Sequence, residues 1–495
     1  MTGPCEVRYT RGCLKAPRGA NSSVRVTGHK KEAADHPMDV RAPERKKRDR
    51  LLLLPLCLML AGAVPGLAAG PVKAAGEPAS LQALVDAAEE GNVLRIPEGR
   101  YVGPVVIRKA LHLQGDGKVK VVNGAEGPVI RLEASSAELA GIGIEDTRED
   151  PDSVALEVAG SGNRLNNLTI ATQGFGIRLN QAHENILEHI HIEGTTVPAT
   201  GLSQDEEPVE RGNGIDLLES DRNQIRNNRI SNMFDGVYIE KGTGNRIEGN
   251  MVTESRYGYH LMFSRDTAVT GNTGSRNVTG AMIMADEGAQ VTGNDFAKQS
   301  ANATAQGILL FDVKRVLVEN NRVEGNRLGI YAQTLRDTTI KNNRFMRNFL
   351  GIQMTDAEGN RLTGNDFVAN VIQAQAVAEA NNVIEHNFWD DHGGLDLQGD
   401  GISDLPYRSN SFFLGLTDET PAYQLFFGAP GMLFLEGLFG SGTREDLVDQ
   451  APLMKPRAAA ETAEPAGGGR WASILCGALM LTASGLIFIK GGKAQ

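Results

Sequence analysis

Between residues 58 and 475 the chain has no cysteine; its four, Cys5, Cys13, Cys57 and Cys476, sit towards the ends. Disulfides, thiolate metal sites and a cysteine nucleophile are thereby excluded from the body of the protein. Aromatic residues are only 5% of the 495. The net charge is -11, with the first fifty residues basic and the rest more acidic, which excludes a general nucleic-acid binder. At 22% charged and 41% hydrophobic, the chain is neither a disordered nor a polytopic membrane sequence. Helical periodicity is missing from Leu165 to Phe388. Glycine, by contrast, is plentiful: 58 residues, about 12% against a usual ~7%.

The ends carry export and anchoring signals. The basic run Arg45-Lys46-Lys47-Arg48 and Arg50 precedes an apolar stretch from Leu51 to Val64, and small residues follow at Gly66-Leu67-Ala68-Ala69. That order is a secretory signal peptide, with cleavage after Ala68 or Ala69, Met38 the truer start, and a first membrane helix as the alternative. At the other end, Trp471 to Ile489 runs without a charge, with Arg470 before it and Lys490 and Lys493 after it. At ~1.5 Å per residue this stretch reaches about 28 Å, close to a bilayer core. Body outside, lysines inside is the orientation expected of a tail anchor in an exported, periplasmic protein.

The body is a repeat. Asn228, Asn250, Asn272 and Asn294 stand 22 apart, and after a five-residue insertion so do Asn321, Asn343, Asn365 and Asn387. A second column precedes each by fourteen places: Gly214, Gly236, Gly258, Gly280, Gly307, Gly329 and Gly351, with Gly176 upstream. Such a unit is too short for strand–helix–strand crossovers, so two short strands per unit, stacked in parallel about 4.8 Å apart, are expected. Asn at one place on every turn can hydrogen-bond along the stack. The fold class is all-β: a right-handed parallel β-helix of about ten 22-residue turns, with an N-terminal capping helix and a C-terminal membrane anchor. The boundaries are leader and signal peptide 1–69, N-terminal cap and first turns 70–135, repeats 136–392, C-terminal cap and docking segment 393–456, linker 457–470 and transmembrane tail 471–490. The capping helix is placed at Ser80-Leu81-Gln82-Ala83-Leu84-Val85, with Ser80 as its N-cap.

A β-helix that cleaves or epimerises a polysaccharide needs acids, or an acid with His or Lys, converging on an outward face. Two places after each column Gly stand Arg178, Asp216, Tyr238, His260, Met282, Leu309, Tyr331 and Gln353; four places after stand Asn180, Leu218, Glu240, Met262, Met284, Phe311, Gln333 and Thr355. Only Asp216 and Glu240 are acids, and they do not cluster. His260 and Met262 instead face Met282 and Met284 one turn on, one imidazole and three thioethers, a donor set that suits Cu(I). The same positions could equally form an apolar strip, with Tyr238, Leu309, Phe311 and Tyr331 extending a partner surface. Between Thr195 and Arg211, the insertion with Asp205-Glu206-Glu207 is a solvated acidic loop or meets a basic partner. After the last turn, Asp396, Asp400 and Asp404 resemble a calcium loop without its closing Glu, so calcium binding there is weak, or the loop is a structural cap. Phe426, Phe427 and Phe434, in a broken Phe/Leu segment at 423–439, suit a membrane surface, a membrane partner or the end of the coil.

Arg256-Tyr257-Gly258-Tyr259-His260-Leu261-Met262-Phe263-Ser264, Gly307-Ile308-Leu309-Leu310, Trp389-Asp390-Asp391 and Asp404-Leu405-Pro406-Tyr407 together resemble the NosD family, from about Leu81 to Pro456. The resemblance implies a non-enzymatic periplasmic accessory role. Members work with an ABC-type ATPase and its permease, receive copper from a small copper chaperone, and help assemble the copper-sulfide centre of nitrous-oxide reductase. It makes copper a transferred cargo at His260, Met262, Met282 and Met284, and the 423–439 segment a dock on the permease; the tail anchor departs from the pattern. A polysaccharide-binding or polysaccharide-modifying protein and a metal-free adhesion module are the alternatives.

Overall fold

The computed structural model describes residues 80–124, 126–195, 210–299, 305–377, 381–409, 431 and 447–457. All lie in one compact unit, Ala74–Gln495. The signal peptide, the acidic loop at Asp205-Glu206-Glu207, the phenylalanines Phe426, Phe427 and Phe434, and the tail at 471–490 fall outside the described residues. Among the described residues no helix is long and apolar enough to cross a membrane.

One short helix, Leu81–Ala87, opens the unit. Ser80 caps it, its hydroxyl accepting from the Ala83 amide at 3.1 Å, and Leu81 and Val85 bury its apolar face. Gln82 makes it a cover: its side-chain amide donates to the Val106 carbonyl and accepts from the Val106 N–H, standing in for a neighbouring strand at the open edge.

The chain then winds into a right-handed parallel coil. Among the described residues, twelve strands stack along one wall and twenty-four along the other two, two per turn except where His112–Asn123 and Glu138–Asp146 each run through both. The coil therefore has about twelve turns where the 22-residue spacing predicts about ten. The difference lies at the N-terminal end, where Val105, Ile130 and Leu156 are vertical neighbours spaced 25 and 26 residues apart, without the Asn and Gly columns. From Val154 onward each turn also has three strands rather than the expected two. Arg246–Glu248 and Met251–Thr253 are separate strands because Gly249 adopts φ +65° between them. The same left-handed corner falls on Asn227, Gly271, Asn320, His189 and His386, residues that tolerate it or are held in it by the turns above and below.

The two columns have separate physical causes. Every ladder Asn is buried and fully bonded: the Asn272 Oδ1 accepts from the Asn250 amide and side chain at 2.8 and 3.0 Å, while its Nδ2 donates to the Ile247 carbonyl and to Asn294 Oδ1. The column glycines mark close approach rather than positive φ. A Cβ on Gly258 would stand 2.4 Å from the Gly280 carbonyl oxygen, and one on Gly280 2.5 Å from that of Gly307. A second ladder, Asn277, Gln299, Asn326, Asn348 and Asn370, runs beside the first. Between the walls, Ile, Leu and Val fill the core, each fully buried side chain contributing roughly 1.5–3 kcal/mol.

Polar and aromatic stacks close the far end together. Phe345, Phe367, Trp389 and Tyr407 lie face on face at 4.9, 4.3 and 4.3 Å. The first ladder ends on a carboxylate: Asp449 accepts from the Asn387 amide, the Asn387 side chain and the Trp389 indole, each at 3.0 Å. Its strand pairs Asp449 with Tyr407, and Ser409 and Leu447 are tied where the chain leaves and returns.

Candidate functional site

The wall of twelve strands presents its outward side chains in two unbroken columns. Asp216, Tyr238, His260, Met282, Leu309, Tyr331 and Gln353 are successive vertical neighbours, and so are Leu218, Glu240, Met262, Met284, Phe311, Gln333 and Thr355. Tyr259, Leu261, Ala281 and Ile283 point into the core and are fully buried. His260 thus stands beside Met282 and Met262 beside Met284, on the outer side of strands Tyr257–Met262 and Thr279–Met284. The three methionines are half-buried, as are Leu309 and Tyr331; Phe311 is 37% exposed.

His260 departs from the expected solvent-facing ligand. Although it points away from the core, it is only 6% exposed, because the Tyr238 ring lies 4.8 Å and the Tyr257 ring 5.1 Å from it. Its Nδ1 is 2.8 Å from Asp235 Oδ2. Asp235 is fully buried and held from the other side by Arg256, whose Nε and Nη2 reach its two oxygens at 2.9 and 2.8 Å. Arg256 is itself packed between the Phe234 and Tyr257 rings. Burial pushes the Asp235 carboxyl up, but Arg256 and the hydrogen bond from His260 outweigh it and hold the group below the ordinary carboxylate value. The remaining ring atom, His260 Nε2, is buried and has no hydrogen-bond partner.

Around this cluster the polar groups are committed. The Tyr238 hydroxyl donates to Glu240 at 3.0 Å and lies 3.6 Å from the Met262 sulfur. Asp216 is buried, with Asn213 donating to it at 2.6 Å. Burial pushes its carboxyl up to about 6 against the opposing pull of that hydrogen bond. An imidazole nitrogen without a partner, with thioethers in register beside it, is a soft donor set of the kind Cu(I) prefers over oxygen ligands.

Asp235, Arg256 and Tyr257 were not among the candidate ligands. Asp235 and Tyr257 stand one place before the column glycines and Arg256 two places before, so two further columns written at the 22-residue period would have brought them into view. Asp396, Asp400 and Asp404 do not converge on a common point. Asp396 accepts from the Gly399 and Gly401 amides, Asp400 from Ile402, and Asp404 from Leu397 and Gln398, so each carboxylate is occupied with its own turn. Among the described residues, no group of three His, Cys, Asp or Glu side chains is placed to hold a metal.

Comparison with known proteins bears on the same wall. Residues 199–398 match the family described as periplasmic copper-binding protein (NosD), and residues 121–274 match the right-handed β-helix region. No curated protein matches the chain. Among solved structures, it is similar to the A-module of the mannuronan C-5 epimerase AlgE4 of Azotobacter vinelandii, at 14% identity over 61% of this chain and 89% of that one, TM-score 0.43. The catalytic domain of a GH87 alpha-1,3-glucanase is similar at 13% identity over 60% of this chain and 64% of that one, TM-score 0.47. The periplasmic alginate epimerase AlgG is similar at 14% identity over 66% and 74%, TM-score 0.39. The match at 199–398 covers the strip that carries His260 and its methionines, and the protein is a right-handed parallel β-helix that is similar to the NosD family over those residues.

Proposed function

We propose that this chain is a periplasmic accessory scaffold that holds Cu(I) as cargo on its outward wall. In this reading it works with an ABC permease and ATPase, takes copper from a small copper chaperone, and serves maturation of the copper-sulfide centre of nitrous-oxide reductase. The observation that carries the reading is the register of His260 with Met282 and of Met262 with Met284, beside an imidazole nitrogen that no protein group satisfies. Thioethers bind Cu(I) weakly enough one by one to release it to a partner, and a scaffold needs no acid–base pair. Tyr238, Leu309, Phe311 and Tyr331 would then form the surface on which the chaperone seats, and the segment with Phe426, Phe427 and Phe434 the contact with the permease. Signal peptide and tail anchor would place the coil on the outer side of the inner membrane. Calcium at Asp396, Asp400 and Asp404 has no part in it.

Anaerobic titration of the full-length protein with Cu(I) against a chromophoric chelator tests the reading. About one tightly held ion per chain is expected, and the double variant His260→Ala, Met282→Ala should lose it. Undiminished binding in the double variant would remove this site. The competing reading, action on a uronate glycan, draws on one observation, the buried Asp235–His260 pair between two tyrosines. It requires turnover of such a glycan by the metal-free protein, abolished in the His260→Ala variant.

A further inference from the structure

Asp235 does no chemistry in the copper-scaffold reading, yet it is the most thoroughly enclosed acid on the outward wall. Its carboxylate is completely buried and grasped through both oxygens by Arg256. A carboxylate so paired can only accept hydrogen bonds. The 2.8 Å contact with His260 must therefore be supplied by a hydrogen on the ring Nδ1. In a neutral imidazole that leaves Nε2 with a bare lone pair, and Nε2 is the buried atom without a partner. Leaving such an acceptor unsatisfied is unfavourable unless something binds it.

We infer that the Arg256–Asp235 pair is a positioning device that fixes His260 in the Nδ1–H tautomer, so that Nε2 is held ready as a donor to a soft monovalent metal ion. The inference rests on the copper-scaffold reading and adds residues to the site. Metal-bound histidines in general need their second nitrogen held by such a group, and loss of that partner weakens binding. Arg256 has two parts in this. It grips both oxygens of Asp235, and it is locked between Phe234 and Tyr257, so the carboxylate cannot swing away.

The tautomer can be read without any metal. In full-length protein labelled with nitrogen-15 histidine, the His260 ring signals, assigned by their loss in His260→Gln, should report hydrogen on Nδ1. Hydrogen on Nε2 in the unmodified protein overturns the inference outright, and this measurement needs no variant to fold. Next, Asp235→Leu combined with Arg256→Met removes the pair together, leaving no buried charge behind. The expected result is a shift of the ring towards the Nε2–H form and a loss of Ag(I) affinity, Ag(I) being the redox-inert probe for Cu(I), of about tenfold or more. A tautomer shift with Ag(I) affinity unchanged within about threefold overturns the positioning role. Failure of the unmodified protein to bind either ion, with hydrogen on Nδ1, instead overturns the copper reading and this inference with it.

Discussion

At the corner of the coil, Asn250, Asn272 and Asn294 hold the same place on successive turns and make the same hydrogen bonds. On the outward wall the matching places on neighbouring turns hold Tyr238, His260, Met282 and Leu309, four different chemistries in an equally regular register. The corner residue must satisfy a buried amide and a buried carbonyl of the neighbouring turns, so a side-chain amide recurs there. An outward residue has no backbone obligation and is free to differ. In this repeat, sameness marks what holds the coil together, and difference marks where a binding surface can be made.

Breaking the uniform column should have the largest effect. Asn272→Leu strands the Asn250 amide and the Ile247 carbonyl in the interior, and leaves Asn250 Nδ2 with only its bond to the Ile225 carbonyl. At roughly 1–3 kcal/mol for each orphaned group, a loss of about 3–5 kcal/mol in urea unfolding is expected. A loss below about 1 kcal/mol would mean that water, rather than the ladder, serves that corner.

Asp216 sharpens the comparison, because it is an outward residue that is nonetheless buried. Its carboxyl is raised by burial from 3.8 to about 6, so folding favours the protonated form. The resulting destabilisation is absent below about pH 4, grows as pH rises through about 6, and is fully present above it. Asp216→Asn should therefore stabilise the protein at pH 7.5, by at most about 3 kcal/mol, and have almost no effect near pH 4. Equal midpoint shifts at both pH values would show that Asp216 is ionised freely.

The smallest structural effect is expected at Met284. Met284→Leu conserves volume in a half-buried position, so thermal stability should change by less than about 1.5 kcal/mol. Its Cu(I) affinity should nevertheless fall. A variant that is markedly unstable but binds copper normally would turn the strip into a packing surface.

The repeating columns were open to reading because spacing is visible in a bare sequence. Asn228 to Asn387 and Gly176 to Gly351 announced the coil, its register and the outward direction of Met282. What escaped was whatever depends on a departure from the period or on contact across it. The first turns, spaced at 25 and 26 residues, carried no Asn column to count. The left-handed corner at Gly249 splits what looks like one strand from Asn245 to Val252. Asp235 and Arg256 stand in plain sequence, but their grip on His260 depends on side chains meeting between adjacent turns. The cover over His260 escaped likewise, since Tyr238 and Tyr257 meet it only through their ring orientations.

Asp449 gives the coil a direction in time. The last rung, with Asn387 and Trp389, is completed by an acid about sixty positions further along the chain. A polypeptide emerging from its N-terminal end can wind each new turn onto the one before, but its final amide and indole stay without an acceptor until that late residue arrives. A chain truncated before it would keep all its turns and end in an open rung, free to recruit the next strand it meets.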